Sequence, residues 1–321
     1  MPEAWVNIIW IAAAALGIAA LVLLIAFITS GITFYSPKKH HGKPYSMPPG
    51  EQYKCLKQQM HEMVGRMEAI PCEWVEITSD DGLKLRARYY HVREGAPVAI
   101  CVHGYRANAL RDFCGIGEFC IKEGQNLLLL DQRGQGRSEG RYMTFGIRER
   151  FDLLRWIEYI NGRCGNNTPI LLYGISMGGA TVLMAAGLGL PGNVRGIAAD
   201  CPFSSAKDII CKVCRDMHLP AFILYPFIRL GARVFGGFDP EAATAAEALR
   251  ASKLPVMIIH GEDDRFVPCD MSREIARANP ETVRIHTFPE AGHGISYMQD
   301  MPRYHSLVRA FVQEVLAVKK A

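Results

Sequence analysis

Apolar and polar positions alternate along this chain in three distinct ways, and each predicts a different element. Between Glu3 and Lys38 there is no charged residue, and from Trp5 to Phe27 and beyond Ala, Leu, Ile and Val dominate, with only Asn7, Thr29, Ser30 and Thr33 as polar interruptions. Such a run predicts a membrane-spanning helix, since roughly 20 residues rising about 1.5 Å each cross the ~30 Å hydrocarbon layer. Trp5, Trp10, Phe34 and Tyr35 stand where interfacial aromatics are useful. A cleaved signal peptide fits less well, because a positive n-region is missing and the apolar stretch is too long. Residues 36–50 carry four prolines and two glycines, which forbid regular structure and predict a tether. From Glu51 the period becomes helical, with Tyr53, Leu56, Met60, Met63 and Met67 on one stripe. Core packing is the first reading of that stripe, and an interfacial helix on the membrane is the alternative.

Beyond Pro71 strand and helix signals alternate, which predicts a mostly parallel sheet covered on both faces. Trp74–Thr78 and Leu83–Tyr90 flank Asp81-Gly82 and read as an antiparallel entry hairpin. Six central strands follow, at Val98–Val102, Asn126–Leu130, Ile170–Tyr173, Gly196–Ala199, Val256–Ile259 and Val283–His286, with helices such as Phe151–Ile160 and Ala180–Leu188 between them. The expected organisation is an anchor over 1–35, a tether over 36–50 and a catalytic body over 51–321. With such a tether, a protein starting near Glu51 is expected to fold and remain active.

Hydrophobic residues make up 49% and charged residues 21% of the chain, values of an ordinary folded domain rather than a disordered or coiled-coil chain. A net charge of +4 is too even for a surface built to bind phosphates, so nucleic acid is not expected as a partner. Glu3 precedes the apolar run, and Lys38, Lys39 and Lys43 follow it, with His40 and His41 among them. The positive-inside rule therefore directs the body to the cytoplasm in a single-pass arrangement. Ten cysteines without framework spacing agree with a reducing compartment.

The chemistry is concentrated where the expected strands end. Gly174-Ile175-Ser176-Met177-Gly178 follows the strand Ile170–Tyr173 and precedes a helix, the context of a nucleophile elbow, in which side chains at 174 and 178 would collide with neighbouring backbone. A serine hydroxyl needs a base oriented by a carboxylate. His293, in Ala291-Gly292-His293-Gly294, is the base, and the turn Glu262-Asp263-Asp264-Arg265 supplies the acid, with Asp264 preferred over the solvated Asp263. The order Ser, Asp, His is the order of this fold. An oxyanion hole needs two amide donors, which Met177 and Tyr105 supply, while His103 organises the loop.

Taken together, His103-Gly104-Tyr105, Asp131-Gln132-Arg133-Gly134-Gln135-Gly136-Arg137-Ser138, the elbow, Asp200-Cys201-Pro202-Phe203-Ser204-Ser205, Asp264-Arg265-Phe266-Val267-Pro268 and Gly292-His293 resemble the α/β-hydrolase-fold serine hydrolases of the serine-aminopeptidase-like, membrane-tethered esterase group over about residues 72–318. The resemblance implies an α/β-hydrolase fold with a mostly parallel eight-stranded sheet, helices on both faces, Ser176, Asp264 and His293 as triad, and Tyr105 and Met177 as amide donors. It also implies that the Asp131–Ser138 loop is structural and that residues 205–252 form a helical lid. In that lid Phe222, Tyr225 and Phe227 are candidate contacts to an acyl group, with packing of the lid on the body as the alternative. Cys211, Cys214 and His218 share a helical stripe, but no second CxxC completes a closed site, so neither a metal nor a cofactor is expected. The expected activity is hydrolysis of carboxylic esters or thioesters, on a small-molecule or lipid-like substrate, through an acyl-enzyme. An amidase or aminopeptidase is the alternative enzyme, with Glu241 and Glu247 as the only carboxylates available to hold an α-amine, and a non-catalytic binding module is the reading from another class.

Overall fold

The computed structural model describes residues 3–37, 45 and 50–317. Eight strands form one sheet in the order β1-β2-β4-β3-β5-β6-β7-β8. They are β1 (Glu73–Thr78), β2 (Lys84–Tyr90), β3 (Val98–Val102), β4 (Asn126–Asp131), β5 (Ile170–Ile175), β6 (Val194–Asp200), β7 (Val256–Gly261) and β8 (Val283–Phe288). β1 and β2 make the antiparallel hairpin across Asp81-Gly82, β2 pairs antiparallel with β4, and every later pair is parallel. All residues of β3, β4 and β7 are buried, as a sheet with helices on both faces demands.

Each face carries its own apolar cluster. Trp156, Ile157 and Ile160 of the helix Glu149–Cys164 and Val182 and Leu183 of the helix Met177–Ala185 fill one. The other takes Met63, Val64 and Met67 from the helix Lys57–Ala69, together with Phe113, Phe119 and Tyr304. The methionine stripe is thus core packing, and its fit is close: Met67 Cε would lie 3.2 Å from a Cβ built on Gly117. The Asp131–Ser138 loop has the structural role that the resemblance implied. Buried Arg133 bonds Asp152 Oδ2 through Nε at 2.6 Å and Asp81 Oδ2 through Nη1 at 2.9 Å, and Arg137 N–H donates to Asp131 Oδ2 at 2.8 Å.

Between β6 and β7 the chain leaves the sheet to form the helices Ala206–Asp216 and Ala221–Gly231, a π-helical turn Ala232–Gly236 and the short helix Ala245–Leu249. This insertion packs on a third apolar cluster that includes Phe145, Phe203, Ile209, Tyr225 and Phe238. The apolar N-terminal run forms one helix, Glu3–Phe34, long and apolar enough to fit a membrane anchor. Residues 3–21 are exposed along their whole length. The last turns are not. Ala26, Ser30 and Phe34 are buried, and Gly231 of the lid lies so close that a Cβ there would run into Ala26 O and Ser30 Oγ. Small residues let the two backbones approach, as helices in membranes commonly do. Phe34 is fully buried, edge-on to Phe145 at 5.6 Å and to Phe238 at 5.0 Å. Tyr35 then bridges Tyr142, and Ser36 N–H donates to Arg141 O at 2.8 Å. The helix is therefore seated on the body before the expected tether begins. Lys38, Lys39, His40, His41 and Lys43, on which the orientation argument rests, lie outside the described residues, as does most of the tether.

Candidate active site

The elbow is built as its glycines require. β5 ends at Ile175, and the helix Met177–Ala185 begins one residue beyond Ser176. A Cβ on Gly174 would run into the Gly178 backbone, and one on Gly178 into the Val102 carbonyl. Ser176 itself takes φ 55° and ψ −116°, a conformation that a residue with a side chain adopts only when its surroundings impose it. Its N–H donates to Asp200 O at 2.8 Å, which ties the turn to β6.

Two loops at the carboxyl ends of β7 and β8 bring the other groups to this hydroxyl. His293 Nε2 lies 3.0 Å from Ser176 Oγ, and His293 Nδ1 lies 2.7 Å from Asp264 Oδ2. Asp264 Oδ1 accepts from the amides of Phe266 at 2.9 Å and Val267 at 2.8 Å. Burial pushes the Asp264 carboxyl up, but the bonds from His260 and His293 outweigh it and hold the group well below the usual carboxylate range. Asp263, one residue earlier, is exposed. The spacing of Ser176, Asp264 and His293 thus gives one continuous chain from hydroxyl to imidazole to carboxylate, as general-base activation of a serine needs.

Around the chain, the amides of Tyr105 and Met177 donate to no acceptor among the described residues, so both remain available to an oxyanion. The Gly104 amide is already taken by Asp112 Oδ2 at 2.8 Å. His103 is buried, with Nδ1 2.8 Å from Gly104 O and Nε2 accepting from Gln132 N–H at 3.2 Å. Desolvation holds its pKa below the ordinary histidine value, so it keeps the loop in shape as a neutral ring.

Three supporting groups are assigned no part in the site by the sequence, although Tyr53 stands on the apolar stripe and Asp200 in one of the motifs. His260 is fully buried beneath the acid, its Nε2 2.8 Å from Val267 O and 3.3 Å from Asp264 Oδ2, and its Nδ1 2.6 Å from Ser272 Oγ. Tyr53 Oη donates to His293 O at 2.7 Å, so the segment before the Met helix braces the histidine loop. Asp200 is buried below the elbow, where desolvation raises its pKa to about 6 against the opposing bond from Tyr304 Oη at 2.9 Å.

The lid residues divide. Phe222 is 81% exposed and does not line a pocket, because it stands on the outward side of the helix Ala221–Gly231. Tyr225 is buried in the lid cluster, and Phe227 is half-buried. Phe266 is a nearer apolar neighbour of the site, with its ring 5.1 Å from the His293 imidazole. Glu241 is bound to Arg229 at 2.9 Å and lies 3.7 Å from Lys207, while Glu247 caps its own helix through Thr244. Cys214 is buried in the lid and His218 is exposed; among the described residues the one group of three ligand-type side chains is Cys201, Asp264 and His293, two of which are already partners in the chain above.

Residues 97–213 match the family model described as the alpha/beta hydrolase fold. With the sheet order and the elbow, that match gives this chain the α/β-hydrolase fold. Its relatives are spread widely. YqkD of Bacillus subtilis is 24% identical over 256 residues, covering 79% of this chain and 84% of that protein. Human ABHD12B is 29% identical over 224 residues, covering 62% of this chain but only 56% of the human protein. Among solved structures, the esterase Pf2001 of Pyrococcus furiosus superposes with a TM-score of 0.63 at 23% identity, over 78% of this chain and 93% of that one. Est1E of Butyrivibrio proteoclasticus, solved with ferulic acid bound, gives 0.59 at 19% identity, over 76% and 100%.

Proposed function

We propose that the protein is a membrane-anchored serine hydrolase that cleaves carboxylic esters or thioesters through an acyl-enzyme. The observation that carries this reading is the unbroken Ser176–His293–Asp264 chain beneath two unengaged amides. Ser176 Oγ attacks the carbonyl carbon while His293 Nε2 takes its proton, and Asp264 holds the imidazole by Nδ1 and stabilises the cation that forms. The amides of Tyr105 and Met177 receive the negative oxygen, His293 returns the proton to the leaving alcohol or thiol, and water repeats the sequence to release the acid. No cofactor is needed. Engagement of Glu241 and Glu247 within the lid speaks against an aminopeptidase, which needs a free carboxylate for the substrate amine.

The apolar surroundings, Phe266 beside His293 and the Phe145–Phe203 cluster under the lid, favour a hydrophobic acyl group, with Tyr225 and Phe227 rather than Phe222 as the lid's contribution. Each buried methylene is worth about 0.8 kcal/mol. Across p-nitrophenyl esters of graded length, kcat/KM should therefore rise by roughly one to three orders of magnitude from acetate to medium chains, while aminoacyl amides remain poor substrates. A preference for acetate, or for amides, would overturn the acyl preference or the ester reading respectively.

The orientation belongs to the same proposal: the lysines that follow the apolar helix place the body in the cytoplasm. Protease added to intact cells should spare the body. Its digestion, while a cytoplasmic marker survives, would reverse the orientation.

A further inference from the structure

A helix leaves its last four carbonyls without intrahelical partners. The apolar helix Glu3–Phe34 has no basic residue in its last turn, yet its terminal carbonyls are all engaged. Gly31 O accepts from Tyr35 N–H at 3.1 Å and Phe34 O from Met143 N–H at 2.8 Å. The two between them are taken by the loop that follows β3. Arg106 Nη2 donates to Ile32 O at 2.9 Å and to Tyr35 O at 3.1 Å, and Tyr105 Oη donates to Thr33 O at 2.8 Å. The guanidinium also supplies a positive charge where the helix dipole is negative.

This loop is the one whose backbone offers the Tyr105 amide to the site. Arg106 sits at φ 48°, a value that non-glycine residues seldom take, so the local backbone does not by itself prefer this shape. The Tyr105 ring rests 5.1 Å from Phe145, and Phe145 in turn meets Phe34 of the apolar helix at 5.6 Å. Both polar and apolar contacts of the loop therefore lead to the end of the membrane helix.

We propose that Arg106 and the Tyr105 hydroxyl are positioning groups that set the Tyr105 amide from the seated end of the apolar helix, so that the anchor is a working part of the oxyanion hole. The inference rests on the serine-hydrolase reading given above. An oxyanion donor acts only within about 2.7–3.1 Å of the developing charge, and complete loss of one costs roughly 10²–10³ in kcat. A loosened donor costs less, so Tyr105→Phe should lower kcat about tenfold and Arg106→Ala by roughly 10- to 100-fold, with KM little changed. Arg106→Lys, which keeps the charge, should recover part of the loss.

The test uses the full-length protein in phosphatidylcholine vesicles, with a p-nitrophenyl ester and its thiono analogue, in which sulfur replaces the carbonyl oxygen. Sulfur is a poor acceptor for the hole, so the native enzyme should favour oxygen strongly and both variants should lose that preference by the same factor as kcat. A merely structural role would not move this ratio. Arg284→Ala, which breaks an exposed bond to Glu314, should change neither quantity. Should Arg106→Ala fail to fold, Tyr105→Phe, nearly isosteric, decides the matter. Native kcat and native oxygen preference in Tyr105→Phe, and in Arg106→Ala where it folds, would overturn the inference while an inactive Ser176→Ala leaves the hydrolase reading standing. An active Ser176→Ala would overturn both.

Discussion

Replacing Ser176 by Ala should abolish ester hydrolysis, with turnover falling by roughly 10⁴- to 10⁶-fold, and should remove labelling by a fluorophosphonate probe. The reason is geometric. The hydroxyl is held 3.0 Å from His293 Nε2, and its backbone is fixed at φ 55° by a turn in which the 174 and 178 positions admit no side chain. His293→Ala should fall as far, because triad members act as a unit and the first loss takes most of the effect. The alanine variant adds no volume and leaves the Ser176 N–H bond to Asp200 O in place, so unfolding measurements should show a native-like protein. Probe labelling that persists in Ser176→Ala would remove the serine from the mechanism.

What could be read from the sequence follows from how local each determinant is. The elbow glycines, the Asp81-Gly82 turn and the six apolar runs act over a few residues, and the strands at Val98–Val102 and Ile170–Ile175 fall where those runs lie. The methionine stripe was legible for the same reason, since a helical period declares a buried face. Contacts across the chain were not. Nothing near Arg106 in sequence points to Ile32, 74 positions away, and nothing near Tyr53 points to His293, 240 positions away. His260 lies just past the predicted strand Val256–Ile259 with no motif to mark it, and only the fold brings its ring beside Asp264. The lid was misjudged at Phe222 because composition says that a helix is apolar without saying which of its apolar residues face inward. Ala221, Tyr225 and Ile228 take the buried side of that helix, so Phe222, one residue on from Ala221, is turned outward.

The apolar N-terminal helix shows the same limit at a larger scale. Its length and lack of charge fit a span, but the turns from Ala26 to Phe34 also carry small and aromatic residues that meet Gly231, Phe145 and Phe238. A protein beginning near Glu51 would lose the carbonyls that bind Arg106 and Tyr105 and would expose the cavity that Phe34 fills, and filling such a site with a buried Phe is worth about 3–5 kcal/mol. Such a protein, expected to fold and remain active, should on that packing lose stability relative to the full chain, as read from urea unfolding midpoints.

Asp264→Asn should lower turnover by roughly 10⁴, the scale on which a triad acid matters when its replacement keeps the shape but reverses a hydrogen bond. Asp264 Oδ1 is committed to the amides of Phe266 and Val267, so an asparagine must keep its oxygen there and turn its NH₂ toward His293 Nδ1. That pairing demands an unprotonated Nδ1, which puts the proton on Nε2 and leaves no base for Ser176. Asp263→Asn should change turnover by no more than about twofold, as expected of an exposed side chain. The two variants should also part in their response to acid. A carboxyl held below its unfolded pKa contributes stability that is present at neutral pH and lost as pH falls through its folded value. The native protein and Asp263→Asn should therefore lose stability between about pH 5 and the acid limit, and Asp264→Asn should lose less over that window, as read from urea unfolding midpoints. Severe loss of turnover in Asp263→Asn with a mild effect in Asp264→Asn would move the acid by one residue along the turn.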